Sequence, residues 1–195
     1  MKVKGNLVAA LALGAAVACS AGFAGITPAA AASKDTKNTI TDRDVAIPLQ
    51  AAQKSLKSGD YNGALQQLDK ADGQSKKTPY EQFLIYEMRG FAYVRLKQYP
   101  QAAKAIEAQL QSGFLAPDQV KTDTLALSQL YYQQKNYDKA IQWGQQVIDK
   151  GWADQQTPTL VGQAYYLKGD WKGVVRFEKS QVAADEKKGV APSNE

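Results

Sequence analysis

Residues 90–106 read GFAYVRLKQYPQAAKAI, and residues 128–144 read SQLYYQQKNYDKAIQWG. They are one pattern written twice, so that Gly90 answers to Ser128 and Ala102 to Ala140. Its centre is a polar residue followed by an aromatic: Gln98-Tyr99 and Asn136-Tyr137. The interval from Tyr99 to Tyr137 recurs upstream, where it leads back to Asp60-Tyr61. Downstream the next such dipeptide is Asp170-Trp171, closer by about one helical turn. Three positions after each aromatic come Ala64, Ala102, Ala140 and Val174. Nine positions before each come Ala52, Gly90, Ser128 and Gly162. Self-similarity at this period marks an array of like units, each of which buries its apolar face only against neighbours.

The segments between the dipeptides read as helices, with Gly and Pro as punctuation and no sustained strand alternation. The expected helices run from about Val45 to Lys57, from Asp60 as N-cap through Ala71, and from Thr78-Pro79 to about Lys97. The next run from Pro100 to about Gln111, from Pro117-Asp118 to about Gln134, and from Asn136 to Lys150-Gly151. The last two run from Thr157-Pro158, read as cap and first residue, to Lys168-Gly169, and from Asp170 to about Ala184. Asp, Asn and Thr before these segments satisfy orphaned N–H groups, and Pro is tolerated at a first helical position. The expected architecture is all-α: four helix hairpins stacked as an α-solenoid over residues 45–186.

Composition narrows the chemistry. The 195 residues contain no His and a single Cys, Cys19. That removes Ser-His and Cys-His nucleophile pairs, an imidazole base and a His/Cys zinc site. No phosphate-binding Gly-rich loop and no HExxH motif is present. No metal or cofactor is therefore expected, and no catalytic residue is assigned. Asp69, Asp72, Glu81 and Glu87 are read as solvated faces of amphipathic helices.

Residues 1–32 have the layout of a secretory signal peptide. Lys2 and Lys4 precede an uncharged run from Leu7 to Ile26, and Pro28 to Ala32 supplies small residues for cleavage after Ala31 or Ala32. A run of that length could instead span a bilayer, but its Ala and Gly content and small-residue end favour cleavage. The third reading is a lipid anchor on Cys19, since Ala16-Val17-Ala18-Cys19 loosely resembles a lipobox. Residues 33–44 read as a flexible linker, and 187–195 as a disordered tail or the truncated start of a further helix. Loss of Lys2 and Lys4 lowers the formal charge from +5 to +3, leaving 22 basic and 19 acidic residues. The cations do not cluster, so nucleic-acid binding is not expected. The implied location is periplasmic or secreted, with no transmembrane span in the mature chain.

The repeated residues resemble the tetratricopeptide repeat. Gly90, Tyr93, Tyr99, Ala102 and Ile106 match its pattern, as do Ser128, Tyr131, Tyr137, Ala140 and Val147. Ala52, Tyr61, Ala64, Leu68 and Ala71 match with Ser55 in place of an aromatic, and Gly162, Tyr165 and Trp171 match while Val174 and Glu178 depart. Gly144 stands where the family has a larger apolar residue. In such a hairpin small residues face each other, pairing Gly90 with Ala102 and Ser128 with Ala140, while the aromatics fill the ends of the contact.

The resemblance further implies that the first helix of each pair lines a concave groove. The positions it carries over are Leu49, Gln53 and Leu56; Glu87, Phe91 and Val94; Leu125, Gln129 and Tyr132; Thr159, Gln163 and Tyr166. Gln53, Glu87, Phe91, Gln129, Tyr132, Gln163 and Tyr166 are the candidate partner contacts. Glutamine pairs with a peptide backbone as donor and acceptor, and aromatics anchor at low entropic cost. One subtype of the family clamps a C-terminal carboxylate with Lys and Asn. Gln53, Glu87, Phe91 and Gln129 stand at comparable sites, so a heat-shock co-chaperone role is not implied. The expected function is an exported bacterial scaffold or adaptor that binds a peptide or helix of an envelope protein. Two alternatives stand beside it: a structural segment of a larger repeat assembly, including end-to-end self-association, and a carboxylate-based envelope hydrolase.

Overall fold

A computed structural model describes residues 39–187. Among them are eight helices and no strand: α1 (Arg43–Ser58), α2 (Tyr61–Asp72), α3 (Pro79–Arg95), α4 (Tyr99–Gln111), α5 (Pro117–Gln133), α6 (Tyr137–Asp149), α7 (Gln156–Lys168) and α8 (Trp171–Lys187). The signal peptide, Cys19 and the tail from 188 lie outside the described residues. No helix of the described residues is long and apolar enough to cross a membrane.

The four recurring dipeptides close four like turns. Just before them, Gly59, Lys97, Lys135 and Gly169 have φ of 80°, 57°, 58° and 78°. The next N–H then reaches back five residues in each case. Asp60 N donates to Ser55 O at 2.9 Å, Gln98 N to Tyr93 O at 2.8 Å, Asn136 N to Tyr131 O at 2.9 Å and Asp170 N to Tyr165 O at 3.0 Å. A left-handed residue with this bond satisfies carbonyls at a helix end and reverses the chain. Glycine adopts that conformation freely at two turns, and lysine is held in it at the other two. Asp60, Asn136 and Asp170 then cap the following helices, each accepting from the N–H three residues on.

Each helix packs mainly on the one before and the one after it, and α3 also meets α1 as α7 meets α5. Two apolar clusters result. Val45, Leu49, Leu56, Leu68, Phe83, Ile85 and Met88 build the first from α1 to α3. Ile106, Leu127, Leu130 and Tyr131 build the second, with Ala102, Ala140 and Ala164. The three alanines are small where neighbouring helices come close, and all are fully buried.

Five details differ from the sequence expectations. The linker is ordered from Thr39 on, and its last two residues already belong to α1. Its anchor is Glu81, expected on a solvated face but fully buried. Glu81 accepts from Thr41 N at 2.8 Å and Asp42 N at 3.2 Å, and also from Thr78 N at 2.7 Å in a capping box. Asp72 is half-buried and accepts from Arg89 at 2.6 Å, whereas Asp69, which accepts from the same guanidinium at 2.6 Å, stays exposed as expected. Asp154, not Thr157, caps α7: it accepts from Gln156 N at 3.1 Å, Thr157 N at 2.8 Å and the Thr157 hydroxyl at 2.6 Å. Finally, the atoms nearest to a Cβ at Gly90 belong to Ile106 and Ala105, a turn beyond Ala102. Ser128 does meet Ala140, donating to its carbonyl at 3.1 Å.

Packing accounts for the small residue at Gly144. A Cβ there would collide with Val161 Cγ2 of α7 and lie 3.0 Å from Ser128 Oγ of α5. Three helices converge on this one position. Gly144→Leu, which restores the residue type usual in the family, is therefore expected to destabilise the fold by roughly 2 kcal/mol through overpacking. A denaturant midpoint equal to that of the unmodified chain would contradict the convergence.

Candidate binding pocket

Between α5 and α7 lies a cavity of about 280 Å³, walled by Leu125, Ser128, Gln129 and Tyr132 on one side and by Thr157, Leu160 and Gln163 on the other. Gln133, Gln155 and Gln156 complete its rim. The period places the walls. Gln129 and Gln163 are the same position of two successive units, and so are Leu125 and Thr159. These positions come together because α5 contacts α7. Tyr132 donates its hydroxyl to Gln163 Oε1 at 3.0 Å, linking the walls. Its ring meets Tyr137 edge-on at 6.0 Å, which fixes the ring's orientation. The result is a lining that combines the apolar Leu125 and Leu160 with primary amides, each both donor and acceptor.

Of the seven candidate contacts, the structure brings Gln129, Tyr132 and Gln163 into this pocket. The other four lie elsewhere. Gln53 is only 8% exposed, so it offers nothing to a partner. Phe91 is half-buried, with Tyr61 edge-on at 6.2 Å and the Arg95 guanidinium 5.1 Å above its ring. Tyr166 is 59% exposed and meets Trp171 edge-on at 5.1 Å, on the far side of the α7–α8 turn. The motif places Trp171 among the packed residues, yet it is 60% exposed. Its counterparts Tyr61, Tyr99 and Tyr137 all pack against a core cluster.

Glu87 is coupled to Asp123, an acid that the candidate residues did not include. Burial pushes its carboxyl above the usual range. Asp123 of α5 is pushed up to about 7, first by burial and then by the charge of Glu87. Asp123 Oδ2 is enclosed without a hydrogen-bond partner. Glu87 and Asp123 stand one unit before Leu125 and Thr157, two residues of the pocket wall. The signal for Asp123 was present in the sequence. Its counterparts Ile85 and Thr157 are both buried, so the register puts an acid where the neighbouring units bury an apolar or small side chain. Among the described residues no group of acids, His or Cys is arranged to hold a metal ion. No family model and no curated protein matches this chain.

Proposed function

We propose that the chain is an exported adaptor of a bacterial envelope. In this reading it is a right-handed solenoid of four tetratricopeptide-like hairpins whose inner wall holds a segment of another envelope protein. The supporting observation is the pocket between α5 and α7, which Gln129, Tyr132 and Gln163 line together with Leu125 and Leu160. The amides suit an extended backbone, and Leu125 and Leu160 suit one apolar side chain of the bound segment. Export rests on the layout of residues 1–32, with cleavage after Ala31 or Ala32; a lipid anchor on Cys19 is the alternative.

The raised carboxyls of Glu87 and Asp123 are the observation that bears on the hydrolase alternative, since perturbed acids collect at active sites. Asp123 Oδ2 is closed off, however, and a substrate atom would need to reach it. The pair therefore reads as a half-buried polar defect beside the inner wall.

The adaptor reading is tested by affinity capture from envelope extracts, comparing the unmodified chain with Gln129→Ala/Tyr132→Ala/Gln163→Ala. Loss of three contacts at about 1 kcal/mol each weakens a specific partner by roughly 100-fold. The expected result is disappearance of the captured partner, with helical circular dichroism unchanged. Capture of the same proteins in equal amount by both chains would refute the pocket as the binding site.

A further inference from the structure

The second helix of each pair has a face that meets the pair after it. Tyr61 and Leu65 of α2 recur as Tyr99 and Ala103 of α4, and as Tyr137 and Ile141 of α6. All six pack into or against a core cluster. In α8 the same positions are Trp171 and Val175, and here they are 60% and 55% exposed. Val182, in register with Leu110 and Ile148, continues this exposed strip. Among the described residues no helix follows to cover it.

The polar groups on this face are inverted in sign. At the internal junctions the acid belongs to the second helix and the donor to the next pair. Asp69 of α2 accepts from Arg89 of α3 at 2.6 Å, and Glu107 of α4 accepts from Tyr131 of α5 at 2.7 Å. Asp138 of α6 pairs with Lys168 of α7 at 2.6 Å. The position of Asp69 and Glu107 is Lys179 in α8, and the position of Asp138 is Lys172. With Arg176 these lysines border an open hollow of about 550 Å³ over Trp171 and Val175.

We propose that this face of α8 docks an amphipathic helix of a partner protein, with carboxylates flanking its apolar stripe. Shape follows from the internal junctions, where the equivalent face always receives a helix. Charge follows from Lys172, Arg176 and Lys179, which need acids where the internal junctions supply Arg89, Tyr131 and Lys168. The α1 helix of a second copy does not meet that need. Its residues at the positions of Arg89, Tyr131 and Lys168 are Ala51, Ser55 and Ser58. This surface is separate from the α5–α7 pocket, and either can fail without the other.

The test is fluorescence anisotropy with a labelled synthetic helix of about 14 residues, long enough to cover Trp171 to Val182 at the helical rise. One version carries Leu on one face and Glu on its flanks; the other has Lys in place of Glu. The unmodified chain is expected to bind the Glu helix at least about tenfold more tightly than the Lys helix. Lys172→Glu/Arg176→Glu/Lys179→Glu, all at exposed positions, reverses that preference, and Val175→Asp abolishes binding of both. Equal affinity for the two helices, or no binding of either, overturns the proposal. So does self-association in sedimentation that Val175→Asp abolishes, because the occupant is then a second copy. Stronger binding to phosphatidylcholine–phosphatidylglycerol vesicles than to the Glu helix overturns it in favour of a lipid surface.

Discussion

Glu81→Ala is expected to lower stability by about 3 kcal/mol and to free the segment before α1. The carboxylate is fully buried and receives three backbone N–H groups from two distant parts of the chain: Thr78, at the start of its own helix, and Thr41 with Asp42, far upstream. Hydrogen bonds to a charged acceptor contribute roughly 1.5–3 kcal/mol each, and a donor left buried without one adds its own desolvation cost. Partial hydration of the opened site offsets some of that loss. For a domain of this size each kcal/mol moves the melting temperature by about 2–4 °C, so a fall of about 6–12 °C is expected. Limited trypsin digestion supplies the local readout. Arg43 begins α1 directly after the two tethered residues, and cleavage there should become fast in the variant. A melting temperature unchanged within experimental error, with Arg43 still protected, would show that the tether is not a source of stability.

This tether also marks where sequence reading stops. Thr78 and Glu81 have the spacing of a capping box, so the local half of the role is readable. The reach to Thr41 and Asp42 is not, because no local pattern specifies which distant segment returns to a helix start. The same division runs through the molecule. Helix starts at Asp60, Asn136 and Asp170 are legible because cap chemistry is local. The start of α7 is misread because Thr157-Pro158 imitates a cap, while Asp154 takes the Gln156 and Thr157 N–H groups and the Thr157 hydroxyl. Gln129, Tyr132 and Gln163 meet because positions in register on successive first helices face one another. Gln53 and Phe91 hold the same register, but the depth of each position depends on the bulk of its neighbours: Gln53 is buried in the α1–α3 region, and Phe91 leans on Tyr61. Trp171 repeats the motif of Tyr61, Tyr99 and Tyr137 faithfully. Its exposure depends on what packs against α8, which no residue within the motif encodes.

Asp123→Asn is expected to raise stability at pH 8 and to remove most of the chain's pH dependence between about pH 4 and 8. The Asp123 carboxyl is pushed up to about 7 by burial and by Glu87, against about 3.9 for an unfolded chain. Between those values the folded state holds a proton that the unfolded state has released. Stability therefore falls as pH rises, and the penalty reaches its full size above pH 7. At 1.36 kcal/mol per unit the limiting cost is about 4 kcal/mol, an upper figure because a buried carboxylate draws in water as it ionises. Burial raises the Glu87 carboxyl as well, so it adds a smaller slope of the same sign. Other carboxylates act outside this window. Burial raises Asp72 and Asp154, but Arg89 donating to Asp72 and Thr157 donating to Asp154 bring both net below the ordinary range. Their contribution is complete above about pH 4 and disappears only in stronger acid. Thermal melts of the unmodified chain should thus decline from pH 5 to pH 8, while those of Asp123→Asn stay nearly level and cross above it. Glu87→Gln should give an intermediate slope, because it removes the neighbouring charge and leaves Asp123 buried. Parallel pH profiles for the unmodified chain and Asp123→Asn would mean that Asp123 is ionised in the folded protein at neutral pH, and the account of its carboxyl as raised by burial and by Glu87 would be wrong.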